Sequence, residues 1–199
     1  QIINNGISLS DFSFQNNRNI IKEKLDIASR FLILGVASVW DKRKGLEDFI
    51  ELSKRISQNY CIVLIGLDSK QIKKLPSNII GIERTENVKQ LAEIYSAADL
   101  FLNLTYEDNF PTTILESLAC GTPVLTYNTG GSIEAVDDET GFIVEKGDLN
   151  AVIDAIKLVE EKGKVYYSSA CRERAISLYN KEDRFNEYIQ LYNEIFNKK

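Results

Sequence analysis

The chain has 199 residues, 44% of them hydrophobic and 27% charged, with a formal net charge of −5; this is the balance of a soluble globular protein with room for a sizeable core. The acidic balance argues against a nucleic-acid partner held on a basic face, and the absence of histidine excludes a histidine-based triad or metal site. Three widely spaced cysteines, Cys61, Cys120 and Cys171, argue against a disulfide framework and for a reducing cytoplasm, and no apolar run approaches the ~20 residues of a membrane helix.

The chain opens on Gln1 rather than Met, so a piece of a longer polypeptide is expected. Residues 1–30 are mixed and Asn-rich, with Asn5-Gly6 as a turn signal and Phe12 and Phe14 as candidate anchors. From Phe31 a rhythm begins. Predicted strands cover Phe31–Val36, Cys61–Ile65, Ile79–Ile82, Leu100–Leu104, Val124–Tyr127 and Phe142–Val144. Predicted helices cover Leu46–Ser57, Val88–Ala97, Pro111–Ala119, Asn150–Glu160, Lys164–Leu178 and Lys181–Phe196. The strands are short, nearly continuous in apolar residues and separated by helices, the pattern of a parallel sheet covered on both faces. With right-handed crossovers this is a doubly wound, Rossmann-like α/β domain, expected over residues 31–178. Ligands of such sheets bind beyond the carboxyl ends of the strands, so the loops after Val36, Ile65, Ile82, Leu104 and Tyr127 are the places to search. In the last segment, 179–199, Phe185, Tyr188, Tyr192 and Phe196 recur at helical spacing and form one stripe.

Two of these loops carry chemistry. After the fourth strand runs Thr105-Tyr106-Glu107-Asp108-Asn109-Phe110-Pro111-Thr112-Thr113-Ile114-Leu115-Glu116. Pro111 opens a helix where proline is tolerated, and the first-turn amides near Thr112 and Thr113 lack helical partners. A phosphate there would meet backbone N–H groups and the positive end of the helix. Asp108 and Glu116 frame the spot, and a carboxylate suits a vicinal diol. Taken one at a time, Asp108 also fits a dipole-complementing residue and Glu116 a solvated helix residue. After the first strand, Lys42, Arg43 and Lys44 stand together at a helix start, which is mildly unfavourable unless an anion is present; a solvated charge cluster is the other reading. Gly130-Gly131 after the fifth strand would permit close backbone approach to a ligand, or form a plain loop.

The run from Asp108 to Glu116, continuing through Ser117-Leu118-Ala119-Cys120-Gly121-Thr122-Pro123-Val124, resembles the signature of retaining glycosyltransferases of family 4, which have the GT-B fold. Lys44-Gly45, Tyr95 to Asp99, and Gly130-Gly131 with Glu134 resemble further stretches of that family, over residues 31–160 in all. The resemblance implies the C-terminal, donor-binding half of a GT-B enzyme, with residues 1–30 as an interdomain segment. The helix in 179–199 would pack on an N-terminal acceptor-binding domain. It implies transfer of a sugar from a UDP- or GDP-linked nucleotide sugar to a carbohydrate or lipid-linked acceptor, with no metal and no cofactor. Lys44, Asp108 and Glu116 would be catalytic. The donor would be held by Ser38, Arg43, Lys44, Glu107, Asp108, Asn109, Phe110, Pro111, Thr112, Thr113 and Glu116. Asp108 stands where the family usually has Glu, and Ser38 where it usually has Arg, with Arg43 as a substitute cation. The turn Glu83–Asn87 is where the family places the nucleobase, and Tyr95 and Ala98 read as packing residues. The full-length protein is expected in the cytoplasm, with peripheral association at the inner face of the membrane open to it. Two alternatives stay open: a GT-B nucleotide-sugar epimerase, and a non-catalytic nucleotide-sugar-binding domain.

Overall fold

The computed structural model describes residues 2–16, 18–27 and 29–197. Gln1, Asn17, Ala28, Lys198 and Lys199, which belong to the expected terminal segments 1–30 and 179–199, lie outside the described residues.

Six strands form one parallel sheet: β1 (Phe31–Val36), β2 (Tyr60–Ile65), β3 (Ile79–Ile82), β4 (Leu100–Asn103), β5 (Val124–Tyr127) and β6 (Gly141–Val144). Leu32, Ile33, Leu34, Ile62, Val63 and Leu64 are fully buried, as are Leu100, Phe101, Val124 and Leu125. Successive residues point to opposite faces of a strand, so an unbroken buried run requires cover on both sides. The strand order is β3-β2-β1-β4-β5-β6. The direction of winding reverses between β1 and β4, which pair through Ile33 with Leu100 and Leu34 with Phe101. A crevice opens above such a switch point because the two following loops leave in opposite directions.

The helices are α1 (Arg18–Lys24), α2 (Leu46–Arg55), α3 (Ser69–Ile72), α4 (Val88–Ala97), α5 (Thr112–Ala119), α6 (Leu149–Lys162), α7 (Lys164–Tyr179) and α8 (Lys181–Asn197). Side-chain caps set several starts. Asn87 accepts from the Gln90 amide to open α4, and Asp148 accepts from Asn150 and Ala151 to open α6. The expected Pro111 start shifts by one residue: Pro111 caps α5 with extended backbone, and the first helical residue is Thr112. Helix α2 stops at Arg55, short of the expected Ser57, as Ile56 turns extended.

Two helices were not expected. Helix α3 is a single turn under a capping box of Asp68 and Gln71. Helix α1 is tied down by charge. Lys22 donates to Asp99 at 2.9 Å, Arg18 pairs with the same carboxylate, and the Leu32 amide donates to it at 2.8 Å. Asp99 thus clamps α1 to the amino ends of β1 and β4, where a buried carboxylate must be fully partnered.

The two ends of the chain meet. The Ile7 amide donates to Tyr179 O at 2.7 Å and the Lys181 amide donates to Ile7 O at 3.0 Å. Asn5-Gly6 forms no turn, contrary to expectation; the turn falls at Leu9–Asp11, after the chain has paired with the α7–α8 junction. Phe12 is buried edge-on to Tyr95, whereas Phe14 is 54% exposed and lies on the surface beside Gly121. Helix α8 has no buried residue, and its stripe of Phe185, Tyr188, Tyr192 and Phe196 faces outward. No described helix is long and apolar enough to cross a membrane.

Candidate functional site

A cavity of about 690 Å³ opens at the carboxyl ends of β1, β2, β3 and β4, above the switch point. Its walls include Ala37, Ser38 and Lys44 after β1, Gly66 after β2, Glu83, Arg84 and Thr85 after β3, and Asp108, Phe110, Pro111, Thr112, Thr113 and Glu116 from the loop after β4 and the start of α5. This volume suits a nucleotide-sized ligand.

The loop after β4 is held from two sides. Arg43 O accepts from the Tyr106 amide at 2.7 Å and from Thr105 Oγ1 at 2.9 Å. On the other side Thr129 Oγ1 donates to Tyr106 O at 2.8 Å. Gly130 and Gly131 press on the loop's backbone: a Cβ at Gly130 would lie 2.0 Å from Asp108 O, and one at Gly131 would lie 1.9 Å from Asn109 O. The close approach these glycines permit is therefore to the Asp108–Asn109 backbone. Gly45 does the same from the β1 side, in left-handed backbone at φ 70° with Leu104 O 2.1 Å from where a Cβ would be. Tyr106 and Tyr127 both donate to Asp48 Oδ2, at 2.9 and 2.7 Å, and lock the loop to α2.

So fixed, Asp108 faces the cavity and meets Lys44, whose ammonium donates to Asp108 Oδ2 at 2.5 Å. Both side chains are mostly shielded, at 25% and 20% exposure. The short 3-10 turn Lys42–Lys44 is capped by Asp41, which accepts from the Arg43 and Lys44 amides. That cap aims Lys44 inward and leaves Arg43 outside. The Arg43 guanidinium folds back onto Asp41 at 3.0 Å and does not line the cavity. Arg43 contributes through its carbonyl, which seats the acidic loop.

At the start of α5 the cap residue is proline, which offers no side-chain acceptor. Among the described residues the Thr112 and Thr113 amides have no protein acceptor, and both residues lie in the cavity wall. One turn on, Glu116 enters the cavity from a half-buried position. Burial raises its carboxyl above the usual glutamate range, against a hydrogen bond from Tyr95 that lowers it. Tyr95 is fully buried and donates to Glu116 Oε2 at 2.9 Å.

The structure thus gathers Ser38, Lys44, Asp108, Phe110, Pro111, Thr112, Thr113 and Glu116 around one cavity. Glu107 and Asn109 are exposed in the same loop and do not line it. Glu83, Arg84 and Thr85, from the turn Glu83–Asn87 that the resemblance assigns to the nucleobase, line the same cavity, and Gly66 joins them without having been named from the sequence. Tyr95, expected to pack, does so, and its hydroxyl also bonds Glu116 from behind the cavity wall. Tyrosine on the buried face of a helix needs a partner for its O–H, and that need was the available signal.

A second cavity of about 660 Å³ lies at the amino edge of the sheet, lined by Arg18, Arg30, Asp99 and Lys164 among others. Its charges are already used. Asp99 holds α1, Arg30 donates to the carbonyls of Asp26 and Ile27, and Lys164 donates to Ser96 O at 2.6 Å and Thr122 Oγ1 at 2.7 Å. In the carboxyl-edge cavity, by contrast, the Thr112 and Thr113 amides are without a protein acceptor among the described residues.

Comparison with known proteins places this geometry in a family. Residues 30–161 match the model of glycosyl transferases group 1, and the chain belongs to that family. It is 27% identical over 202 residues to a capsular polysaccharide biosynthesis glycosyltransferase, CapM, of Staphylococcus aureus, covering 95% of this chain and 53% of the relative. The chain spans about half the length of the curated relatives it matches. In fold it resembles Anabaena HepE, solved in complex with UDP, with a TM-score of 0.86 at 18% identity over 98% of this chain and 57% of that one. It also resembles the C-terminal domain of a group 1 glycosyl transferase, LpcC, from Francisella tularensis, with a TM-score of 0.73 at 22% identity over 88% of this chain and 99% of that domain.

Proposed function

We propose that this chain is the donor-binding half of a retaining glycosyltransferase of family 4, which transfers a sugar from a UDP- or GDP-linked nucleotide sugar. The observation that carries the reading is the convergence of Lys44, Asp108, Glu116 and the open first turn of α5 on one cavity at the switch point. The fold shared with UDP-bound HepE and with the isolated LpcC domain supports it. So does coverage of about half of each curated relative.

In this reading the diphosphate lies against the Thr112 and Thr113 amides, with Lys44 beside it. As the glycosidic bond breaks, negative charge grows on the departing nucleoside diphosphate. Fixed amides and one ammonium, aimed at that charge in a partly shielded site, stabilise it without reorganisation. They also carry the charge compensation that would otherwise call for a metal ion. Glu116 accepts from the ribose hydroxyls. Asp108, freed from Lys44 as the phosphate takes the ammonium, accepts from hydroxyls of the sugar and orients it. The nucleobase lies along Glu83–Thr85 and Gly66. The acceptor is held by a second, amino-terminal domain packed against the outward stripe of α8.

The test is calorimetry and thermal shift of this chain with UDP, GDP, ADP and their glucose conjugates. A ligand that binds only the folded state raises the melting temperature. A rise with at least one nucleoside diphosphate, and its loss in Lys44→Ala, is expected; no rise with any of them would contradict the reading.

A further inference from the structure

We infer that Tyr95 is a positioning residue, which fixes Glu116 so that its free oxygen meets the nucleotide ribose; this rests on the donor-binding reading above. Tyr95 lies on α4, outside the cavity wall, and is fully buried. Its ring is wedged edge-on between Phe12, with centroids 6.3 Å apart, and Phe101, at 5.5 Å. The main chain at the end of α4 is pinned as well. Thr122 Oγ1 donates to Tyr95 O at 2.6 Å, and the buried Lys164 ammonium donates to the adjoining Ser96 O at 2.6 Å. A side chain held at ring and backbone cannot follow a wandering carboxylate, so the carboxylate must settle on the hydroxyl.

The chemistry at Glu116 follows from that. A phenol has one proton to donate, and Tyr95 spends it on Oε2. Among the described residues Oε1 takes no hydrogen bond, and the residue lines the cavity. One oxygen is therefore anchored by Tyr95, and the other, with two acceptor sites of its own, is left to accept from the ribose. The bond also opposes the effect of burial on the carboxyl, and so favours the charged, stronger acceptor. The other charged groups of the cavity are Lys44 and Asp108, paired with each other, and Glu83 and Arg84 from the loop after β3.

The experiment compares binding of UDP, GDP and ADP with binding of their 2′,3′-dideoxy forms, from pH 5 to 8, in the wild-type chain, Tyr95→Phe, Glu116→Gln and the double variant. Tyr95→Phe keeps the ring, so packing survives, and melting curves confirm that each variant is folded. The wild type should prefer a ribonucleotide over its dideoxy form. Tyr95→Phe should shrink that preference by about tenfold, the scale of a hydrogen bond to a charged group. It should also shift the acid-side loss of binding to higher pH, because the bond that favours the carboxylate is gone. In the Glu116→Gln background Tyr95→Phe should change the preference little. An unchanged preference and unchanged acid limb in Tyr95→Phe would overturn the inference while leaving the ribose role of Glu116 standing. A wild type that binds dideoxy and ribonucleotides equally would overturn that role, and this inference with it.

Discussion

Lys44 Nζ lies 2.5 Å from Asp108 Oδ2, so the ammonium assigned to the diphosphate is neutralised by the carboxylate assigned to the sugar until a ligand arrives. The two residues come from loops after neighbouring strands on either side of the switch point. Ligand-free, the pair screens a charge that would otherwise repel donor or partner. With a diphosphate present, Lys44 has a doubly charged competitor for its bonds. Lys44→Ala should weaken binding of a nucleoside diphosphate by roughly ten- to a hundredfold, the range for a lost charge-assisted hydrogen bond. Binding of the bare nucleoside should barely change. Adding Asp108→Ala should recover part of the loss, since an uncompensated carboxylate near the phosphate is removed. Titration calorimetry of the three variants checks this. Equal losses for nucleoside and diphosphate would place Lys44 elsewhere, and a larger, phosphate-dependent loss in Arg43→Ala would mean that the guanidinium leaves Asp41 and carries the charge.

Glu116 gives a pH signature. Burial raises its carboxyl above the ordinary range in the folded chain. A raised carboxyl binds protons more tightly folded than unfolded, so this group's contribution to stability falls as pH rises from the unfolded value through the folded one. Glu116→Gln should therefore raise the melting temperature of the ligand-free chain at pH 7 and leave it little changed in acid. Nucleotide binding runs the other way. It needs the carboxylate, so wild-type affinity should drop as pH falls through the raised value, and the Gln variant should be weaker and flat. A Gln variant less stable than wild type at pH 7 would show that the carboxylate is a net stabiliser and is not held at a cost for a ligand.

The glycine contact with the acidic loop can be tested separately from charge. Gly131 lies outside the left-handed region, so an added methyl group tests contact rather than backbone strain: it would meet Asn109 O at 1.9 Å and the Phe110 ring at 3.1 Å. Gly131→Ala should displace the loop, lower the melting temperature by about 2–4 °C for each kcal/mol lost, and weaken nucleotide binding along with it. Val39→Ala, at a 64% exposed side chain in the neighbouring loop, should stay within about 0.5 kcal/mol of wild-type stability. Differential scanning calorimetry on both variants decides. A Gly131→Ala chain with wild-type stability and affinity would show that the loop yields freely and that the glycine pair does not position Asp108.

The outward stripe of α8 bears on whether this chain can act alone. Phe185 is 50% exposed and Phe196 81%, large apolar surface for a chain to leave in water. The expected behaviour is donor binding without transfer, since a closed cleft is needed to exclude water and orient an acceptor. Incubating the chain with a donor it binds and a panel of sugar and lipid-linked acceptors checks this. Turnover at the rate of a full-length relative would show a complete active site in these residues.

What could be read from the amino acids followed the strength of each local signal. Runs such as Phe31–Val36 and Val124–Tyr127 are apolar at every position, and their burial on both faces makes the parallel sheet legible. Glu116 and the open helix start were legible because spacing along one helix fixes what lies on its first two turns; Asp108 stands in the loop before it, whose position is set by Arg43, Thr129 and Gly130 from distant loops. Helix α3 was not, because a single turn has no periodicity to show. Helix α1 depends on a buried pair between Lys22 and Asp99, which stand 77 positions apart. The direction of Arg43 was decided by Asp41, a neighbour with an equal claim to cap the turn. The hydroxyl of Tyr95 was hidden by its ring: periodicity marks a buried aromatic and is silent about its polar tip.

The most direct measurement is a crystal structure of this chain with the nucleoside diphosphate that stabilises it most. The ribose should sit within hydrogen-bond distance of Glu116, and the phosphates between the Thr112 and Thr113 amides and Lys44, whose bond to Asp108 is lengthened or broken. A nucleotide bound instead at the amino-edge cavity beside Arg18 and Lys164, with the Lys44–Asp108 pair intact, would contradict the assignment of the donor site.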